Sequence, residues 1–220
     1  NVTNMLNMFF QAEDFNQDIR GWDVSKVVDM RYMFQGATLM NNNQGAPATP
    51  TKAYFTPKTP ITQANIKTAV NLWVSNPKQA TTKYGHISNW DTSAVTDMSN
   101  LFNGKKTFND DISGWNTSNV TNMERMFLDA YAFNQPIGNW DVSKVTNMGN
   151  MFESAAAFNQ DIGQWNVSQV TDISGMFAGA TSFNQNICNW DVSNVTDMRF
   201  MFTNAASFDG RYAAEPGKSG

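Results

Sequence analysis

Apolar and polar positions recur along most of the chain at a fixed interval of 25 residues. Aligned on its tryptophan, the unit reads W-[DN]-[VT]-S-x-V-T-[DN]-M-x-x-M-F-x-x-A-x-x-F-N-Q-x-I-x-x. A further unit opens at Trp22, and residues 1–21 match the tail of another. A period between about 20 and 50 residues is typical of proteins whose repeats stack on one another. The regular units begin at five tryptophans: Trp90, Trp115, Trp140, Trp165 and Trp190.

Each unit contains two apolar segments with different spacing. Met123, Met126 and Phe127 stand at positions i, i+3 and i+4, as on one face of a short helix, and a threonine suited to an N-cap precedes them. Ile137 and Trp140 instead match the strand of a leucine-rich repeat. The sequence therefore predicts an α/β solenoid that is leucine-rich-repeat-like, with parallel strands on one face and short helices on the other. The Trp, Met and Phe columns are predicted to form its core.

The repeat is interrupted once, between Trp22 and Trp90. The interruption begins with a segment that holds four of the seven prolines, which is typical of a linker. The predicted divisions are residues 1–45 as the end of a first repeat array, 46–60 as a Pro-rich linker, 61–86 as a helical N-terminal cap, 87–210 as a second repeat array and 211–220 as a polar tail.

The predicted cap contains an amphipathic helix that ends before Asn76 and Pro77. Its apolar residues recur at i, i+3, i+4 and i+7, so that one face can cover the open end of the second array. These residues are Ile66, Ala69, Val70 and Trp73.

Composition argues against several classes of protein. Lys and Arg total 15 against 19 Asp and Glu, and there is no basic run, so no nucleic-acid partner is expected. The single cysteine, Cys188, cannot form an intrachain disulfide. No apolar run approaches the roughly 18 residues of a membrane span. Because the chain begins without Met and ends in EPGKSG, we expect a fragment or a processed piece.

The copies of FNQDIGQWNVSQVTDISGMF (Phe158–Phe177) resemble a known repeat family. They are similar to the repeats of about 25–26 residues in bacterial surface proteins of the mycoplasma lipoprotein type, which are related to BspA-like leucine-rich repeats. The resemblance covers residues 1–45 and 87–210. It implies a secreted or cell-surface protein with an adhesive or structural role and without catalysis.

Candidate catalytic residues are few and isolated. His86 is the only histidine, and Cys188 occupies a position that other units fill with Gly or Ser. No Ser-His-Asp arrangement, phosphate-binding loop, dinucleotide fingerprint or zinc spacing is present in the sequence. We therefore predict a protein that is not an enzyme and that uses no metal or cofactor.

The polar position after each tryptophan is the candidate binding face. Stacked strands would bring these side chains within about 5 Å of one another, and alternation of Asp with Asn avoids like charges at that distance. A solubilising ladder and calcium binding by neighbouring Asp residues are the alternatives. The column consists of Asp91, Asn116, Asp141, Asn166 and Asp191.

Asparagine recurs in two further contexts. A column that follows the last Phe of each unit is predicted to be structural, because a buried Asn can pair backbone groups of its own unit and the next. Its members are Asn109, Asn134, Asn159 and Asn184. Five N-x-[ST] sequons, which the repeat itself generates, are candidate N-glycosylation sites if the protein enters a eukaryotic secretory pathway. They lie at Asn1, Asn116, Asn119, Asn166 and Asn194.

The sequence thus predicts a surface or extracellular repeat protein that presents a concave face for adhesion or macromolecular binding. The expected partner is a protein or a glycan at a cell surface. The alternative is a self-assembling filament or coat component whose copies pair head to tail. A carbohydrate-processing enzyme with paired Asp residues is less well supported, since the column alternates Asp with Asn.

Overall fold

The computed structural model describes residues 2–55 and 58–208, except for the side chain of Ala53. Asn1, residues 56–57, the last two residues of the predicted second array and the predicted polar tail lie outside the described residues. The chain divides into two compact units. The first contains the described residues of Asn1–Pro60 together with Asn71–Trp90, and the second contains Ile61–Val70 together with the described residues from Asp91 onward.

The helical elements with defined bounds all lie within residues 38–89. Helix α1 spans Thr38–Asn43, α2 spans Ile66–Ser75 and α3 spans Pro77–Tyr84. Two 3₁₀ turns lie at Lys52–Phe55 and Ile87–Asn89.

The amphipathic helix predicted in the cap region is present as α2. Its predicted apolar face is buried, with exposed fractions of 4% or less at Ile66, Ala69, Val70 and Trp73. The helix α3 that follows was not predicted. Asn76 accepts a hydrogen bond from the N–H of Gln79 at 3.0 Å, and Pro77 occupies the first helical position. The Asn-Pro pair therefore ends one helix and also starts the next.

The predicted leucine-rich-repeat strands are wrong. Within residues 2–55 and 58–208 there is no strand of two or more residues, only isolated parallel bridges such as Asn122↔Asn147. The segment predicted as a strand consists of two turns, because Trp140 N–H bonds to the Ile137 carbonyl at 3.1 Å and Val145 N–H bonds to the Val142 carbonyl at 2.9 Å. A parallel-strand α/β solenoid of leucine-rich-repeat type is thereby excluded as a description of these residues.

The predicted repeat helices are also wrong, since the Met-Phe segments form tandem turns. In residues 148–155 the N–H groups of residues 151, 153 and 155 bond to the carbonyl three residues earlier, at 3.0–3.2 Å, and the N–H of Gly149 bonds to Asn147 Oδ1 at 2.8 Å. The even-numbered N–H groups bond instead to carbonyls of the next repeat, at 2.7–2.9 Å. An α-helix would use i→i−4 bonds within one segment and would leave the neighbouring repeat without partners. The backbone is therefore satisfied by stacking.

Left-handed residues make these tandem turns possible. The residue two positions after the first Met of the segment, or after Ile173 in its place, has a positive φ in every regular repeat. Its identity varies: Asn100 (φ 59°), Arg125 (54°), Asn150 (56°), Gly175 (58°) and Phe200 (63°). A single positive φ is incompatible with a continuing right-handed helix and is the conformation required at the third position of a type II turn.

The core of the second unit is built from stacked aromatic columns. Within one repeat, the rings of Phe152 and Phe158 are 3.9 Å apart between centroids. Phe152 also stacks on the equivalent rings of the repeats on either side, Phe127 at 5.5 Å and Phe177 at 5.7 Å. Each of these rings is fully buried. The Phe columns are therefore core, as the repeat predicts.

The buried tryptophans form hydrogen bonds between repeats through the indole N–H. The indole N–H of Trp165 donates to the carbonyl of Ile137 at 3.2 Å, and that of Trp190 donates to Ile162 at 3.1 Å. A buried indole N–H without a partner would cost free energy, so this bond fixes the register of successive repeats.

Each unit contains residues that satisfy an open backbone edge. In the second unit the Gln63 side chain accepts from the N–H groups of Thr96 and Asp97 at 2.9 Å and donates to the Asp97 carbonyl at 3.0 Å. Its carboxamide thus replaces the peptide of a preceding repeat. In the first unit, Phe34 N–H bonds to the Ala48 carbonyl at 3.0 Å. The segment predicted as a linker therefore supplies backbone partners, and its predicted boundaries stay a prediction.

Replacement of Phe152 by Ala should lower the free energy of unfolding by about 3–5 kcal/mol, because a fully buried ring is lost from both columns. The matched control is Phe200→Ala, since Phe200 is 72% exposed and should cost less than about 0.5 kcal/mol. Urea unfolding measures both. Equal costs for the two variants would contradict the assignment of the core.

Replacement of Gln63 by Ala should lower the free energy of unfolding by about 1–2 kcal/mol, since Thr96 and Asp97 lose their acceptor. Gln63→Glu keeps an acceptor oxygen and loses only the donor to Asp97, so it should cost less. The same urea experiment tests this ranking. A larger loss for Glu than for Ala would show that Gln63 does not act through its acceptor oxygen.

Candidate functional site

The candidate binding face is a row of exposed turns. Each of its five side chains is exposed and accepts a hydrogen bond from the backbone N–H of the serine two residues later. The N···O distances are 3.0 Å at Asp91, 3.1 Å at Asn116, 3.0 Å at Asp141, 3.2 Å at Asn166 and 3.0 Å at Asp191. This local bond is that of an Asx turn. We call these five residues the Asx column.

The turn also lowers the pKa of the carboxyl groups in the column. The Ser143 side chain, followed by its backbone N–H, holds the pKa of Asp141 below its usual value. Ser93 and Ser193 lower the pKa of Asp91 and Asp191 in the same way. These carboxylates are therefore ionised at neutral pH, and the alternating Asn residues provide the same turn without charge.

Threonines form a second exposed column at the start of the tandem turns. The hydroxyl of Thr146 donates to the carbonyl of Thr121 at 3.2 Å, and the hydroxyl of Thr171 donates to Thr146 at 3.1 Å. These residues do not cap helices, contrary to the prediction. The Thr column comprises Thr96, Thr121, Thr146, Thr171 and Thr196.

The second asparagine column pairs neighbouring repeats. Asn134 Oδ1 accepts from the backbone N–H of Asn159 at 3.0 Å, and the Gln160 side chain donates to both oxygens of Asn134 at 2.9–3.1 Å. The equivalent bonds recur one repeat earlier and one repeat later. These contacts agree with the structural role expected for this column.

Comparison with known proteins identifies the family. The family described as "Mycoplasma protein of unknown function, DUF285" matches residues 1–56, 70–174 and 137–214. The chain belongs to this family. The resemblance to mycoplasma-type repeats is therefore confirmed, whereas a relation of DUF285 to BspA-like leucine-rich repeats is not shown. No curated protein and no solved structure matches the chain.

Four of the five sequons of this DUF285 protein lie on described, exposed residues, and Asn1 lies outside the described residues. Asn119 Nδ2 donates to the Ser93 carbonyl at 3.0 Å, and Asn194 Nδ2 donates to the Ser168 carbonyl at 2.7 Å. Asn116 and Asn166 instead use Oδ1 in their turns. Glycosylation at these positions stays a prediction.

The remaining chemical candidates are His86 in the first unit and Cys188 in the second. His86 is half-buried, with Nδ1 2.8 Å from the Ser88 hydroxyl and its ring edge-on to Trp73. Cys188 is exposed. Across residues 2–55 and 58–208, no three His, Cys, Asp or Glu side chains are grouped to hold a metal ion. In the same ranges no helix has the length and apolar character needed to cross a membrane.

Sequence analysis missed a cavity in the first unit, lined in part by the polar side chains of Gln44 and Tyr54. Arg20 lies nearby, since its charge acts on Tyr54. One signal was available in the sequence. Arg20 stands where the other units have small residues, namely Ser88, Ser113, Gly138, Gly163 and Cys188. A long charged side chain at a position of small residues indicates that this repeat has a different neighbour.

The Asx column can be tested through one turn. Asp141→Ala removes the acceptor of the Ser143 N–H and should lower the free energy of unfolding by about 0.5–1 kcal/mol. Asp141→Asn retains that acceptor, as Asn116 and Asn166 do, and should change it by less than about 0.5 kcal/mol. Thermal unfolding measures the stability of both variants. An equal loss of stability in the two would mean that the charge of Asp141, and not its hydrogen bond in the turn, stabilises the protein.

Proposed function

We propose that this DUF285 protein is a non-enzymatic repeat protein of the cell surface or extracellular space that binds a macromolecule through its Asx and Thr columns. The observation that carries the proposal is that both columns are exposed and recur once per repeat on one fixed backbone. The expected partner is a protein or a glycan. The surface location rests on the resemblance to bacterial surface repeats.

The local bonds of the columns support binding. Because the Asp141 carboxylate is already held by Ser143, it loses little conformational freedom when a partner contacts it. The Thr146 hydroxyl is likewise oriented by the carbonyl of Thr121. Preorganised polar groups lower the entropic cost of association.

The repetition of the columns favours a partner that is itself extended or repetitive. Each added repeat contributes the same turn, so one chain offers several equivalent contacts to one polymer. Individually weak contacts of this kind reach a high combined affinity when they engage together.

The arrangement of the acidic groups in the Asx column supports a non-enzymatic role. Catalysis by acid and base requires different groups within hydrogen-bond reach of one reacting atom. In the Asx column every carboxylate instead bonds to the serine of its own turn, as Asp141 does to Ser143. The geometry therefore favours recognition over chemistry.

The proposal predicts a specific loss of binding. Labelled protein is applied to arrays of defined glycans and of extracellular-matrix proteins, and the double variant Asp141→Asn/Asp191→Asn should lose at least about tenfold in affinity for the bound component. The double variant retains both turns, so its thermal unfolding should match that of the unchanged protein.

The matched control is Asp111→Asn/Asp161→Asn. Both residues are exposed and accept from a backbone N–H two residues later at 2.9 Å, but they belong to a different column. The control should bind as the unchanged protein does. An equal loss in both double variants, or no binding to any array component, would overturn the proposal. Light scattering that rises with protein concentration in place of array binding would favour self-assembly.

A further inference from the structure

A cavity of about 280 Å³ lies within the first unit. Its lining includes two ammonium groups, a phenol, an amide and three threonine hydroxyls, and no carboxylate belongs to it. The first four groups are those of Lys58, Lys78, Tyr54 and Gln44. The chain as a whole carries a formal charge of −4, so a cavity with two lysines and no acid is a local reversal of charge.

Two of the lining side chains end in buried oxygens without a partner. Tyr54 is 8% exposed and Gln44 is 6% exposed. The Tyr54 hydroxyl and Gln44 Oε1 are both out of contact with solvent and form no hydrogen bond. Buried polar atoms are nearly always paired in folded proteins, so two unpaired oxygens on side chains that line one cavity indicate groups that a ligand would satisfy once these side chains turn toward it.

Lys58 forms no ion pair with the acid whose charge acts on it. That acid, Asp18, accepts from Arg20 through both Nε and Nη2 and is therefore already paired. Arg20 is 7% exposed, and its Nη1 has no partner. Lys58 Nζ donates one hydrogen to the Thr82 carbonyl at 2.8 Å and lies 5.7 Å from the centre of the Tyr54 ring. Two of its three hydrogens remain for another acceptor.

The protonation states fit a donor-rich site. Burial raises the pKa of Tyr54 to about 12, so its hydroxyl keeps its proton at neutral pH. Burial, followed by the charge of Arg20, lowers the pKa of Lys58. A bound anion would oppose both effects on Lys58, because an adjacent negative charge favours the ammonium form.

We propose that this cavity binds a small anion that also carries hydroxyl groups, such as a sugar phosphate or a sugar acid. Lys58 and Lys78 hold the anionic group, and Gln44 Oε1 accepts from a ligand hydroxyl. The Tyr54 hydroxyl donates to the anion or to an oxygen of the ring. The volume of about 280 Å³ is close to the lower end of the range for small-molecule sites, which fits one sugar ring.

This site is independent of the repeated columns. Lys58 and Lys78 lie outside the repeat, and Arg20 departs from it. Gly85 has a φ of 87°, a conformation that favours glycine, and it lies beside Arg20. The cavity therefore lies outside the repeat pattern and gives the protein a function that repetition alone does not.

Isothermal titration of the full chain tests the proposal with four ligands: glucose 6-phosphate, glucuronate, inorganic phosphate and glucose. At least one of the two anionic sugars should bind about tenfold more tightly than either phosphate or neutral glucose. Glucose binding as tightly would overturn the role of the anion. Phosphate binding as tightly would overturn the role of the hydroxyl. No binding of either anionic sugar would overturn the proposal.

Three variants locate the binding. Lys58→Gln and Lys78→Gln should each weaken the sugar anion about tenfold. Lys67→Gln makes the same change at an exposed lysine that does not line the cavity, and it should leave affinity unchanged. An equal loss in Lys67→Gln would show non-specific attraction and would overturn the site.

Tyr54→Phe separates binding from folding. Removal of a buried hydroxyl that has no partner should leave the melting temperature of the free protein unchanged or higher. The same variant should weaken the sugar anion about three- to tenfold and reduce the rise in melting temperature that the ligand causes. Unchanged affinity would remove Tyr54 from the site and overturn the assignment of the buried oxygens.

Discussion

The second unit depends on one interaction, the backbone hydrogen bond from each repeat to the next. In residues 148–155 every second N–H has its partner on the following repeat, and no partner within its own. Because these bonds form only when equivalent residues are in register, the repeat length is fixed and like side chains stack on like. The Phe152 and Phe158 columns and the Trp165 indole bond are consequences of that register.

The sequence predicted the core better than the backbone that builds it. Columns such as Phe152 and the helix α2 follow from periodicity alone, and both are present. Spacing at i, i+3 and i+4 is ambiguous, however, because tandem turns with a left-handed residue also place Met and Phe on one side. Gly175, Gly179 and Asn100, all at positive φ, were the available signal, since such residues are favoured in that conformation. Arg125 and Phe200, which occupy the position of Asn100 in other repeats, obscured this signal.

Non-repeated residues were harder to predict, because their role depends on contacts between segments distant in sequence. Gln63 resembles any exposed polar residue, yet its carboxamide stands in for a peptide group beside Asp97. The prolines near Ala48 suggested a linker, although this carbonyl pairs with Phe34 N–H. An open edge needs some partner for each N–H, but no local pattern says which residue provides it.

The register between repeats also determines which positions of a repeat can vary and so carry a function. Buried columns and turn positions are constrained by both neighbouring repeats; a Cβ at Gly138, for example, would lie 2.3 Å from the Asp161 carbonyl oxygen. Only outward positions such as Asp141 and Asn166 can exchange one polar residue for another while the turn remains. The sequence predicted for this reason that the five Asx-column residues are exposed, although it placed them on strands and not in turns. A binding site of a different chemistry requires a repeat that lacks a regular neighbour, and Arg20 lies in such a repeat.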